Sequence, residues 1–125
     1  VTAIPFDPYR RACPSRTVLD RVADRWTVLV AGALDGGPLR FSELAQRVDG
    51  VSQKMLTQTL RGLERDGLVR RTVHAQVPPR VEYELTDAGR AALEPLRALE
   101  RWVLDHAADV LAAREAYDAR RADAS

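Results

Sequence analysis

The stretch from Ser52 to Asp66 constrains this chain more than any other. Leu56, Leu60 and Leu63 recur at i, i+4, i+7 spacing, which on a helix forms one inward stripe. At about 100° per residue, Lys54, Thr57, Gln58, Arg61 and Arg65 fall within about 60° of Lys54 on the opposite side, and no carboxylate is expected among them. Ser52 is placed to cap this helix and Asp66 with Gly67 to end it. A helix of this kind must lie on the surface of a domain, with three leucines in the core and a cationic, amide-bearing face outward.

The flanking pattern supplies the rest of that domain. A short helix is predicted to begin near Cys13, Pro14 and Ser15, with Val18, Leu19 and Val22 on one side. The nearly all-apolar run from Trp26 to Leu34 reads as a buried helix at the centre of the core, stopped by Asp35, Gly36, Gly37 and Pro38. Ser42 to Val48 reads as a two-turn helix with Ser42 as its cap, and a turn at Asp49 and Gly50 follows. After the basic helix, the β-prone segment Leu68 to His74 and the alternating segment Val81 to Leu85 make a two-stranded ribbon. Pro78 and Pro79 stiffen the loop between them. Thr86 caps a long last helix in which Leu96, Leu99, Val103, His106 and Val110 recur every three or four residues, with Trp102 beside them.

The fold class that follows is mainly α with a small β-ribbon, a winged helix-turn-helix with a long C-terminal dimerisation helix. Its expected divisions are an N-terminal arm over residues 1–12, a winged helix-turn-helix domain with flanking dimerisation helices over 13–113, and a flexible charged tail over 114–125. Dimerisation is inferred because a helix so long cannot bury its whole stripe against so small a domain, and a second copy of the same helix is a natural partner.

Composition narrows the function. At 125 residues the chain has room for one domain and one core. Its longest apolar run falls short of the roughly 18 residues that a membrane helix needs. A single cysteine and the absence of a basic-then-apolar start make a reducing cytoplasm the expected setting. The net charge of +1 conceals an asymmetry. From Gly50 to Arg80, Lys54, Arg61, Arg65, Arg70, Arg71 and Arg80 face only Glu64 and Asp66, whereas Glu82 onward is net acidic. No nucleophile, base or Gly-rich phosphate loop stands in a catalytic arrangement, so an enzyme is not expected. Cys13, His74 and His106 are too scattered for a metal site, and no cofactor is implied.

Double-stranded DNA is the partner that fits this chemistry. Gln58 can read adenine through its amide, Arg61 can fork onto guanine, Thr57 can touch a thymine methyl, and Lys54 can take guanine or phosphate. Ser42 and Ser52, at helix starts, can receive phosphate oxygens, and Arg80, expected at the wing tip, can follow a groove edge. With Gln53 and Arg65 these residues complete the candidate DNA-binding set. One of Arg70 and Arg71 is expected to face DNA and the other solvent or an acid, and alternation alone leaves open which. A winged helix that docks a protein partner remains the alternative from another class.

Several motifs together resemble the HxlR-type family of winged-helix regulators. They are Cys13-Pro14, Trp26-Thr-Val-Leu29, Phe41-Ser-Glu-Leu44, Ser52-Gln-Lys-Met-Leu-Thr57, Leu63-Glu-Arg-Asp-Gly-Leu68, Pro78-Pro-Arg-Val-Glu-Tyr83 and Leu85-Thr-Asp-Ala-Gly89. The likeness runs from about Cys13 to Leu104, and a MarR-like repressor is the runner-up. It implies a homodimer formed by the first and last helices, bound to a palindromic operator. It also implies that, as in some members, the cysteine at the place of Cys13 senses oxidants or electrophiles. Position at a helix start, with Arg10, Arg11 and Arg16 near in sequence, favours the thiolate. The competing reading makes Cys13 a small hydrophobe at the dimer interface.

Overall fold

The computed structural model describes residues 5–124. Its elements run α1 (Ser15–Ala23), α2 (Arg25–Ala33), β1 (Leu39–Arg40), α3 (Phe41–Arg47), α4 (Gln53–Arg65), β2 (Val69–His74), β3 (Arg80–Leu85) and α5 (Asp87–Ala124). They divide into two compact units, one ending at Glu94 and the other beginning at Pro95. No helix among the described residues is long and apolar enough to cross a membrane.

In the first unit the core includes Val30 and Leu34 from α2 and its following turn, Leu44 of α3 and Val48 just after it, Leu56, Leu60 and Leu63 from α4, Val69 and Leu85 from the sheet, and Leu93 from the start of α5. The three α4 leucines are buried as their spacing predicts, each contributing about 2 kcal/mol. Asp24 separates α1 from α2 and caps the latter, its carboxylate accepting from the N–H groups of Trp26 and Thr27 at 3.0 and 3.2 Å. Not all of the apolar run is interior, for Leu29 is exposed, as are Val18 and Leu19 on α1.

The sheet has three strands rather than two, in the order β1-β3-β2, all antiparallel. Leu39 pairs with Tyr83 and Arg40 with Glu82, so the short β1 covers the outer edge of β3. Two residues are too few to show an alternating pattern, which is why the sequence predicts only the ribbon. The β2–β3 connection carries a cis bond between Val77 and Pro78, and the Val77 side chain is fully exposed.

Thr86 ties the ribbon to α5. Its hydroxyl donates to the Gly67 carbonyl at 2.6 Å and accepts from the Gly89 N–H at 3.1 Å, while its own N–H donates to the Leu68 carbonyl at 3.1 Å. The end of α4, the start of β2 and the start of α5 are therefore held at one point.

The second unit is the remainder of α5. Helix persists through Ala124 where the charge pattern predicts a flexible tail from Arg114. Ala and Arg, abundant in that stretch, are strong helix formers, and their intrinsic preference sustains the backbone without an apolar stripe. Within this unit Trp102 stacks on His106, with ring centroids 4.6 Å apart and planes 13° from parallel. Leu99, Trp102, Val103, Leu104, Leu111 and Tyr117 are exposed.

Candidate nucleic-acid interface

The helix pair α3 and α4 is joined by a turn whose geometry requires Gly50, at φ 86°. The Val48 N–H closes α3 on the Leu44 carbonyl at 2.9 Å. Ser52 then caps α4 as expected, its Oγ accepting from the Met55 N–H at 3.0 Å. The start of α4 is thereby set, with the other first-turn N–H groups directed out of the helix end. Ser42 does not cap α3. That helix starts one residue earlier, at Phe41, and the Glu43 carboxylate reaches back to the Arg40 N–H at 2.9 Å instead. Ser42 lies exposed in the first turn.

On α4, Gln53, Lys54, Gln58, Arg61 and Arg65 are all exposed, and Thr57 is half-buried. Thr57 and Arg61 border an open hollow of about 330 Å³ whose other walls are Phe41, Leu60, Glu64, Arg71 and Tyr83. One correction and one assignment follow. Glu64 stands beside Thr57 and Arg61, so the basic face has a carboxylate at one edge. And Arg71, not Arg70, is the ribbon arginine that joins the α4 surface, because Arg70 pairs with Glu84 at 3.1 Å on the other face of the sheet.

The wing places Arg80 differently from the sequence expectation. It is the first residue of β3, opposite His74 in register, and the tip consists of the residues before it. Half-buried, its Nε lies 3.6 Å from the Glu82 carboxylate, too far for a hydrogen bond and with no other partner. Ser52, Lys54, Gln58, Arg61 and Arg65 are thus carried by one helix start and one helix face, whereas Arg80 belongs to the polar face of the ribbon.

Comparison with known proteins gives the family. The model of the family described as HxlR-like helix-turn-helix matches residues 21–110, a span that includes α3, α4 and the whole wing. The chain belongs to this family. Among relatives of the HxlR-like chain, the uncharacterized HTH-type transcriptional regulator YtfH of Escherichia coli is 45% identical over 107 residues, covering 86% of this chain and 85% of YtfH. The solved structure of ytfH from Salmonella typhimurium is 43% identical and superposes with a TM-score of 0.83, covering 89% of this chain and 99% of that one. The redox regulator HypR in its oxidized form is 36% identical, with a TM-score of 0.69 over 74% of this chain and 96% of HypR.

In this HxlR-like chain Cys13 is half-buried just before α1. Its Sγ lies 3.1 Å from the Ser15 hydroxyl and accepts from the Asp7 N–H at 3.3 Å. These bonds, with one from the Ser15 backbone, hold the thiol pKa below its ordinary value, against smaller opposing effects of partial burial and of the Asp7 charge. The neighbouring arginines are not the cause. Arg16 donates to the carbonyls of Pro8 and Tyr9 at 2.6 and 2.8 Å, and Arg10 pairs with Asp7 at 3.8 Å. The Asp7 contact spans six residues of irregular chain, so no local sequence pattern announces it.

Proposed function

We propose that this HxlR-like protein regulates transcription as a cytoplasmic homodimer bound to a palindromic operator, with α4 in the major groove. The observation that carries the reading is the exposed row Lys54, Gln58, Arg61 and Arg65 on a helix anchored by three buried leucines. Arg61 and Gln58 read base edges, and Lys54, Arg65, Ser52, Gln53 and Ser42 contribute backbone contacts that set register. Arg71 joins them at the α4 surface, and Arg80 serves the wing. The exposed apolar residues of α5, with Val18 and Leu19 of α1, support a dimer in which a second copy covers them.

Cys13 serves in this reading as an oxidant- or electrophile-responsive thiol. Its lowered pKa and the likeness to HypR support that role. As the chain's one cysteine, its outcomes are an intersubunit disulfide, a mixed disulfide or alkylation.

The test is an electrophoretic shift on DNA from upstream of the protein's own gene, with wild type and Arg61→Ala compared at one salt concentration. A specific shift that weakens in the variant supports the reading. A folded dimer that binds that DNA no better than unrelated sequence counts against this operator, and one that binds no DNA counts against the reading as a whole.

A further inference from the structure

The polar face of the wing carries an arrangement that DNA binding alone does not explain. Across the ribbon His74 is paired in register with Arg80, and Glu82 lies one step further along the same face. One oxygen of the Glu82 carboxylate, Oε1, is shared. It meets His74 Nε2 at 2.5 Å and Arg80 Nε at 3.6 Å. Arg80 Nε is buried without a hydrogen-bond partner, so its contact with the carboxylate is one of charge and not a hydrogen bond. The remaining charged groups on this face are Arg70 and Glu84, which pair with each other, and Arg40 of β1, level with Glu82 in register. Pro38 and Thr72, the other neighbours of the hollow beside His74, bring no charge.

We propose that His74, Glu82 and Arg80 form a proton-gated DNA contact on the wing, with Glu82 as its positioning residue. This rests on the reading that the wing meets the DNA backbone. With His74 neutral, Nε2–H donates to Glu82, and the charges of Glu82 and Arg80 cancel. A proton taken from solvent at Nδ1 makes the trio +1. The carboxylate then serves an imidazolium at short range, and Arg80, already at the longer distance, turns to a phosphate. Affinity should therefore rise as pH falls and the imidazole takes up this proton.

The experiment measures binding of the full-length protein to a mixed-sequence duplex of about three helical turns by fluorescence anisotropy, across a salt series near pH 6 and near pH 8. Wild type is expected to bind more tightly near pH 6, with its log–log salt slope steeper by about 0.9 per wing, the signature of one more neutralised phosphate. In His74→Gln, which retains His106, the slope should be the same at both pH values, so that the effect belongs to His74. In Glu82→Gln binding should be tighter than wild type near pH 8, because Arg80 is free of the carboxylate there without a proton on His74, an outcome that loss of a merely structural contact does not produce. A wild-type slope independent of pH, or a pH effect that survives in His74→Gln, overturns the proposal. Arg61→Ala keeps the two readings apart. Loss of affinity there at both pH values with no pH effect in wild type sinks the wing proposal alone, whereas wild type that binds no duplex at either pH removes the DNA-binding reading as well.

Discussion

Gly89 lies against the carbonyl oxygen of Leu68 so closely that a Cβ added to it would overlap the oxygen. The obstacle is backbone at the point where α4, β2 and α5 meet, and it cannot swing aside. Gly62 offers a contrast. There an added Cβ would meet the guanidinium of Arg21, the far end of a flexible side chain that also donates to Asp66 at 3.1 Å.

Gly89→Ala is therefore expected to cost about 2 kcal/mol in urea denaturation, within the range of overpacking changes. Gly62→Ala should stay within about 1 kcal/mol of wild type, since the gain in helix propensity offsets the displaced Arg21. Equal losses in the two variants would contradict the distinction.

Much of this architecture is legible in the sequence, for reasons that can be named. The stripe of Leu56, Leu60 and Leu63 repeats at the helical period, and Ser52 and Thr86 bond only to residues close in sequence or at the adjoining turn. What escapes depends on contacts without a period. β1 is two residues long, Glu43 displaces Ser42 from the capping role, and Arg70 and Arg71 separate only once Glu84 is known to face the former. Arg80 is set in β3 rather than at the tip by its pairing with His74, and the helix of α5 persists beyond its apolar stripe.

Cys13 should show a pH dependence of alkylation with two opposite controls. A lowered pKa means that more thiolate is present at any pH below the ordinary thiol range, so iodoacetamide should react faster than with an unstructured cysteine. Ser15→Ala removes the largest stabiliser of the thiolate and should move the rate inflection to higher pH. Asp7→Asn keeps the backbone N–H but removes the opposing charge, and should move it to lower pH. Identical inflections in all three proteins would show that these contacts do not set the reactivity.

The exposed face of α5 should govern association. Leu99→Glu combined with Leu111→Glu is expected to shift sedimentation from dimer to monomer while the helical circular-dichroism signal is kept, because both side chains are exposed in the single chain. An unchanged dimer would place the interface elsewhere.

Lys54 and Arg61 should contribute differently. Lys54→Ala is expected to weaken binding to all duplexes alike and to lower the salt slope by about 1, whereas Arg61→Ala should cost about 1–3 kcal/mol on the specific site and relax the preference for it. Equal effects of the two on specific and random DNA would mean that Arg61 makes no base contact.

Binding of DNA by the outer face of α4 is tested by the affinity of wild type and of a Lys54→Ala, Arg61→Ala, Arg65→Ala triple variant for duplex DNA across a salt series. Wild type should lose affinity steeply as salt rises, and the folded triple variant should bind weakly with a much shallower slope. Equal affinities and slopes for the two proteins would contradict the claim.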